Sequence, residues 1–170
     1  MTLECVADPQ SKALQYVFFA ERQATKVPGL SKDVELKAIN AVGIIGAGTM
    51  GGGIAMNFAN VGIPVTLLEM NQEALEKGLS TIRGNYEASA SKGRITHAQV
   101  DARMALLTGS TEYTDLTDMD LVIEAVFEKM DIKKQVFKKL SDTVRPDTSL
   151  ASPTSYLDID EIATVVDRPQ

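Results

Sequence analysis

The sequence predicts an α/β fold: a parallel sheet with helices on both faces, preceded by a helical arm. Three observations carry the prediction. From residue 37 onward, short apolar runs alternate with stretches of helical spacing, the pattern of strands joined by crossover helices. A glycine-rich turn, Gly46-Ala47-Gly48-Thr49-Met50-Gly51, links the first run directly to the first helical stretch. An acid, Glu69, stands at the end of the next run, the position where such a turn has a use for one.

Asp8-Pro9 predicts a helix start, with Asp8 as N-cap and Pro9 in the first turn. Ala13, Leu14, Val17 and Phe18 continue it at helical spacing, and Val27-Pro28-Gly29 ends it. Residues 31–37 are charged and read as a linker. The organisation predicted is therefore an arm, residues 1–36, and a second domain, residues 37–170. Residues 39–45 form an apolar run ending in glycine, which suits a strand buried on both faces. Met50, Ile54, Ala55, Phe58 and Ala59 mark a helix that Gly62 caps, and Val65–Leu68 is the next strand. Strand, helix and strand within about thirty residues make a parallel βαβ unit with a right-handed crossover.

A long helix is expected over Gln72–Ser91, and Thr96 with Gln99 forms a capping box for another through about Leu106. Residues 121–125 read as a third buried strand. Ile132, Val136, Phe137, Leu140 and Val144 mark the helix after it. Ser149–Ala151 is a short strand and residues 159–166 a last helix.

Composition removes whole classes of function. Hydrophobic residues make up 44% of the 170, which excludes a disordered chain. Lys and Arg number 17 against 23 Asp and Glu, a net charge of −6 without a basic run, so nucleic acid is not an expected partner. One cysteine, Cys5, makes no internal disulfide, and with a single histidine, His97, there is no metal-ligand set. The longest apolar runs are far shorter than a bilayer span, and residues 1–10 do not read as a signal peptide. The expectation is a soluble protein of a reducing compartment, the cytoplasm.

The glycine-rich turn carries the chemistry. Gly46 makes the tight turn, Gly48 lets backbone approach a pyrophosphate, and Gly51 lets helix and strand pack closely. The N–H groups around Thr49 and Met50 lie at a helix N-terminus, where free donors and the dipole favour an anion. A carboxylate at Glu69 accepts hydrogen bonds from a ribose 2′-hydroxyl and repels a 2′-phosphate, which favours NAD over NADP. The fold class is thus a Rossmann-type sheet.

Three stretches make the chain recognisable: Gly46-Ala-Gly-Thr-Met-Gly-Gly-Gly-Ile-Ala55, Glu124-Ala-Val-Phe-Glu128 and Ala151-Ser-Pro-Thr-Ser155. Together they resemble the NAD-binding domain of the L-3-hydroxyacyl-CoA dehydrogenases. The arm, from Ser11-Lys-Ala-Leu to Phe18-Phe-Ala-Glu-Arg22, is similar to the linker helix that follows the hydratase/isomerase domain in multifunctional fatty-acid oxidation enzymes. The resemblance implies oxidation of (S)-3-hydroxyacyl-CoA to 3-ketoacyl-CoA with NAD. It also implies a hydratase/isomerase domain and a thiolase subunit as partners. The positions that match the family's NAD contacts are Met50, Glu69, Val126, Phe127, Glu128 and Lys133, with Ala125 beside them at the strand's carboxyl end. Lys133 reads as pairing with a phosphate or with Glu128, the alternative being a solvated helix lysine. Glu124, inside an apolar strand, is not expected to share a functional role with Glu128. Ser155 matches a family serine whose hydroxyl contacts the substrate oxygen or the nicotinamide, and is the catalytic candidate; otherwise it is a turn or cap residue. Family contacts to coenzyme A map near Asn85 and Lys92.

Two departures from the family stand out. Pro153 occupies a position where the family has asparagine, which removes a side-chain amide and a backbone N–H and restricts Ser152. The family's catalytic histidine lies in a His-Phe-Phe-Asn-Pro segment beyond the equivalent of Pro169. These 170 residues hold neither that segment nor the partner glutamate and helical domain that follow it. The expectation is a domain truncated at its C-terminus that binds NAD without turnover, with an open sheet edge through which it self-associates. His97, placed at a helix start, is expected on the surface. The rival readings are a non-catalytic dinucleotide-binding module and another Rossmann enzyme such as a flavoprotein.

Overall fold

Strands form where the sequence places an apolar run, and once where it does not. A computed structural model describes residues 6–24, 26–31 and 33–168. Cys5 and Pro169 lie outside the described residues. β1 (Val42–Ile45), β2 (Val65–Leu68), β3 (Leu107–Ser110), β4 (Leu121–Glu124) and β5 (Ser149–Ala151) form one sheet in the order β3-β2-β1-β4-β5. All four pairings are parallel, with Val42 of β1 level with Val65 on one side and Leu121 on the other. The helices are α1 (Pro9–Ala24), α2 (Thr49–Asn60), α3 (Gln72–Ser91), α4 (His97–Met104), α5 (Met130–Thr143) and α6 (Ile159–Ala163). After β3 the chain turns through a 3₁₀ segment, Tyr113–Leu116, and lays β4 on the far side of β1. The strand order therefore reverses between β1 and β4, and the crevice above their carboxyl ends is where open α/β sheets bind ligands.

Contacts divide the chain into residues 1–37 and 38–170. In the first unit, Asp8 caps α1 through its side chain, which accepts from the Gln10 N–H at 2.8 Å. A turn at Gly29 (φ +82°) follows the helix. In the second unit the sheet carries a separate core on each face. Val42, Ile44, Val65 and Leu67 pack with Ala55, Ile82, Tyr86 and Val100 of α2, α3 and α4. Ile45, Leu68 and Val122 pack on the other side with Leu116, Leu140 and Val144. Alternate residues of one strand face opposite sides, so β1 reads apolar throughout because both its faces are covered.

One strand was missed and two boundaries shift for a visible physical reason, beyond changes of one or two residues elsewhere. β3 was not predicted: its middle residues Thr108 and Gly109 are exposed and only its ends are buried, so it shows no apolar run. β1 begins at Val42 rather than residue 39, because Asp120 Oδ2 takes the N–H groups of Asn40 and Ala41 at 2.7 and 3.2 Å. α6 stops at Ala163 rather than 166; the N–H groups of Val165 and Val166 fold back onto Ile162 and Ala163 carbonyls instead.

Candidate functional site

The glycine-rich turn leaves β1 with Gly46 at φ +99°, a conformation that costs an L side chain its allowed backbone space. A Cβ on Gly46 would also lie 2.7 Å from the Ala125 carbonyl oxygen, so the turn sits directly on the segment that follows β4. Gly51 meets the same demand from the helix side, where a Cβ would fall 1.8 Å from the Gly46 oxygen. Gly48 differs: a Cβ there would meet nothing within 4 Å. It is the N-cap of α2, extended, and no side chain caps the helix. Thr49 and Met50 in the first turn are exposed. The first turn of α2 is thus exposed and without a side-chain cap, with the positive end of the helix at its N–H groups. This cradle fits the pyrophosphate of a dinucleotide.

Glu69 follows β2 and is half-buried. Its Oε1 accepts from the Ala47 N–H at 2.7 Å and its Oε2 from the Met70 N–H at 3.1 Å. The carboxylate therefore lies against the glycine turn, where a ribose attached to a bound pyrophosphate would meet it. The sequence reading missed Gly78 of α3. A Cβ on it would lie 2.3 Å from Ala47 Cβ and 2.8 Å from Ala47 O, so α3 packs against the turn only because this residue has no side chain.

At the ends of β4 and β5 the structure bears out one reading of Lys133, its pairing with Glu128, over the solvated alternative. Lys133 is not a solvated helix lysine; its side chain is 1% exposed. Its Nζ donates to Glu124 Oε1 and Oε2 at 2.8 and 2.9 Å and lies 3.1 Å from Glu128 Oε2. Glu124, expected inside an apolar strand, is fully buried there and pairs with the same lysine. Ser152 Oγ donates to Glu124 Oε2 at 2.9 Å, the Val126 N–H donates to Glu124 Oε1 at 2.8 Å, and Thr154 Oγ1 donates to Glu128 Oε1. That bond, opposed by burial and helped by Lys133, holds the Glu128 carboxyl below the usual glutamate range. A detectable signal existed. Lys133 falls on the same helical face as Phe137, Leu140 and Val144, at i, i+4, i+7 and i+11, and β4 presents a single acid to that face.

The remaining candidates separate. Ala125 and Val126 are half-buried beside Gly46, while Phe127 is 77% exposed. Ser155 is exposed on the loop after β5, and the loop is held by its neighbours Ser152 and Thr154. Asn85 and Lys92 are exposed on α3 and at its C-cap, two turns apart on one helix face. Asn85 is 13 residues into a helix that starts beside Glu69, about 20 Å along it at the usual rise, so it is not gathered with the strand ends. His97 is exposed and opens α4. Among the described residues, no group of three or more His, Cys, Asp or Glu could hold a metal ion, and no helix is long and apolar enough to cross a membrane.

Comparison with known proteins agrees with this geometry. The family described as 3-hydroxyacyl-CoA dehydrogenase, NAD binding domain, matches residues 41–170. A peroxisomal bifunctional enzyme of Cavia porcellus is 46% identical over 165 residues, covering 95% of this chain and 23% of its own length. A peroxisomal fatty acid beta-oxidation multifunctional protein of Oryza sativa subsp. japonica is 40% identical over 161 residues, covering 94% and 22%. The chain thus spans less than a quarter of the length of these curated relatives. Among solved structures, an (S)-3-hydroxybutyryl-CoA dehydrogenase from Ralstonia eutropha superposes with a TM-score of 0.76 at 37% identity, over 78% of this chain and 47% of that one. The dehydrogenase part of a multifunctional enzyme from C. elegans gives 0.76 at 28% identity, over 85% and 34%.

Proposed function

Since the chain belongs to the 3-hydroxyacyl-CoA dehydrogenase NAD-binding domain family, we infer that it is the cofactor-holding part of an enzyme that oxidises (S)-3-hydroxyacyl-CoA to 3-ketoacyl-CoA in fatty-acid β-oxidation. The observation that carries this reading is the uncapped N-terminus of α2 facing open space at Gly48, with Glu69 beside it. Gly46, Gly48, Thr49, Met50 and Gly51 would hold the pyrophosphate, and Glu69 the adenosine ribose. Ala125, Val126, Phe127, Glu128 and Lys133 would frame the nicotinamide half. NAD, when bound, supplies the hydride acceptor. Ser155 would contact the substrate oxygen or the nicotinamide, and Asn85 and Lys92 the coenzyme A. Proton removal from the 3-hydroxyl needs a base in hydrogen-bond reach, and exposed His97 on α4 is not placed to provide it.

The linker-like arm supports a hydratase/isomerase domain in the same protein, and the resemblance to multifunctional fatty-acid oxidation enzymes supports a thiolase subunit as partner. The place of β5 at the edge of the sheet, among the described residues, supports self-association. For the compartment, composition favours the cytoplasm, whereas the names of the relatives favour a peroxisomal or glyoxysomal matrix; imaging of the tagged full chain separates the two. The functional test is titration of the 170-residue chain with NADH by fluorescence, followed by assay, on 3-ketoacyl-CoA substrates, of a multifunctional enzyme carrying this domain. Saturable NADH binding and NADH-dependent reduction are expected. A yellow purified protein that ignores NADH would point to a flavin instead.

A further inference from the structure

We propose that Glu124 is a positioning residue for the nicotinamide end of the site: its buried carboxylate fixes together the turn after β4, the ammonium of Lys133 and the loop after β5. The proposal rests on the reading of the β4 and β5 carboxyl ends as that part of the site.

Glu124 and Lys133 are 0% and 1% exposed. Such a pair is a poor device for stability alone, because desolvation offsets the Coulombic gain and an apolar pair of equal volume does as well or better. Glu124 is level with Ile45 of β1, and the core that holds Ile45, Leu68, Val122 and Leu140 is apolar, so an apolar pair would match its setting. What charge adds is direction. Glu124 accepts from Val126 N–H, Lys133 Nζ and Ser152 Oγ, groups from three segments of chain. The first bond sets the backbone next to Ala125, on which Gly46 rests. The second aims Lys133 so that its Nζ also reaches Glu128 Oε2 at 3.1 Å. The third pins the loop whose Thr154 hydroxyl holds the other Glu128 oxygen. Glu128, 43% exposed, is therefore gripped from two segments, and both grips trace back to Glu124. The location also argues for function, because the network closes at the carboxyl ends of the strands beside the topological switch.

Glu124→Gln keeps an oxygen for the Val126 N–H and removes the charge that orders Lys133 and Ser152. In the full chain, affinities for NADH and for ADP-ribose, which lacks the nicotinamide, are measured by calorimetry. The expected result is NADH binding weakened about tenfold, the scale of a lost charge-assisted hydrogen bond, with ADP-ribose binding held within about twofold. Equal weakening of both ligands would mean a purely structural role and overturn the proposal, as would unchanged NADH affinity. Ser152→Ala leaves the ion pair intact and serves if the first variant does not fold; the same split at smaller size supports the proposal, and its absence overturns it. An unmodified protein that binds neither ligand would overturn the dinucleotide reading itself, an outcome distinct from either variant result.

Discussion

Glu69 does two things with one carboxylate. It clasps the Ala47 N–H of the glycine turn, and in the functional reading it accepts from a ribose. A cofactor-swapping substitution therefore disturbs the turn as well as the ribose site. The expected preference is NADH over NADPH, and Glu69→Ser should narrow it mainly by weakening NADH, about tenfold for a lost bond to a charged acceptor. Titration of both cofactors checks this; equal affinities in the unmodified protein would sink the assignment. Lys92 is a simpler case, an exposed cation at the end of α3. Lys92→Ala in a multifunctional enzyme carrying this domain should raise KM for the CoA substrate by about threefold, because one exposed contact to a phosphate is worth little; an unchanged KM removes Lys92 from the site. Residues of this kind were open to proposal from the sequence, Glu69 from its place at the end of the strand after the glycine turn and Lys92 from the family resemblance. Glu124 and Ser152 were not, since their importance lies in partners brought from other strands.

Elements were legible in proportion to how much periodicity they carry. The sequence bounded α3 as it is observed, and the Thr96–Gln99 capping box forms with both of its bonds. β3 was invisible because two of its four residues face solvent. What the pattern could not show is how closely elements approach, and Gly78 is the clearest case. Gly78→Ala raises helix propensity by about 1 kcal/mol. It also drives a methyl to 2.3 Å from Ala47 Cβ, and overpacking of that kind costs about 1–3 kcal/mol. The steric term should win, with a lower Tm and weaker NADH binding; a higher Tm would show that α3 yields freely. At the opposite end of the sheet, Asp120 joins the starts of β1 and β4. The Asn40 N–H, against burial and with help from Arg145, holds its carboxyl below the ordinary aspartate range. Because the folded value lies below the unfolded one, this stabilisation is complete above the ordinary pKa of about 3.9. It is lost as pH falls through the lower folded value. Asp120→Asn should therefore lower Tm at neutral pH and flatten its decline below about pH 4. A Tm–pH curve parallel to that of the unmodified protein would count against the role.

At the scale of the whole molecule, the described residues leave β3 and β5 as the two edges of the sheet. In the functional reading their chemistry is likewise one-sided, with groups suited to a dinucleotide and no well-placed base for an alcohol. The prediction is that the 170-residue chain binds NADH but does not turn over 3-ketoacyl-CoA. Two groups could be asked to serve as base. His97 is exposed at the start of α4, on an element that contributes no residue to the strand-end network. Glu128 lies at the strand ends that the functional reading gives to the nicotinamide, but the Thr154 hydroxyl and Lys133 hold its carboxyl below the usual range, so it is a weaker base than an ordinary glutamate. A positioned general base is worth roughly 100- to 10,000-fold in rate. The orientation of a substrate held on both sides is worth about as much again or more, and Asn85 and Lys92 lie on one exposed helix face that cannot enclose an acyl chain. Both losses act on the same step, so the expected rate falls below detection by NADH absorbance, even though the cofactor binds. The measurement is 3-ketoacyl-CoA reduction by the purified 170-residue chain, with NADH binding confirmed in the same preparation. Turnover abolished by His97→Ala would place the base on α4 and overturn the site assignment. Turnover abolished by Glu128→Gln would mean that the grip of Lys133 and Thr154 loosens when substrate binds.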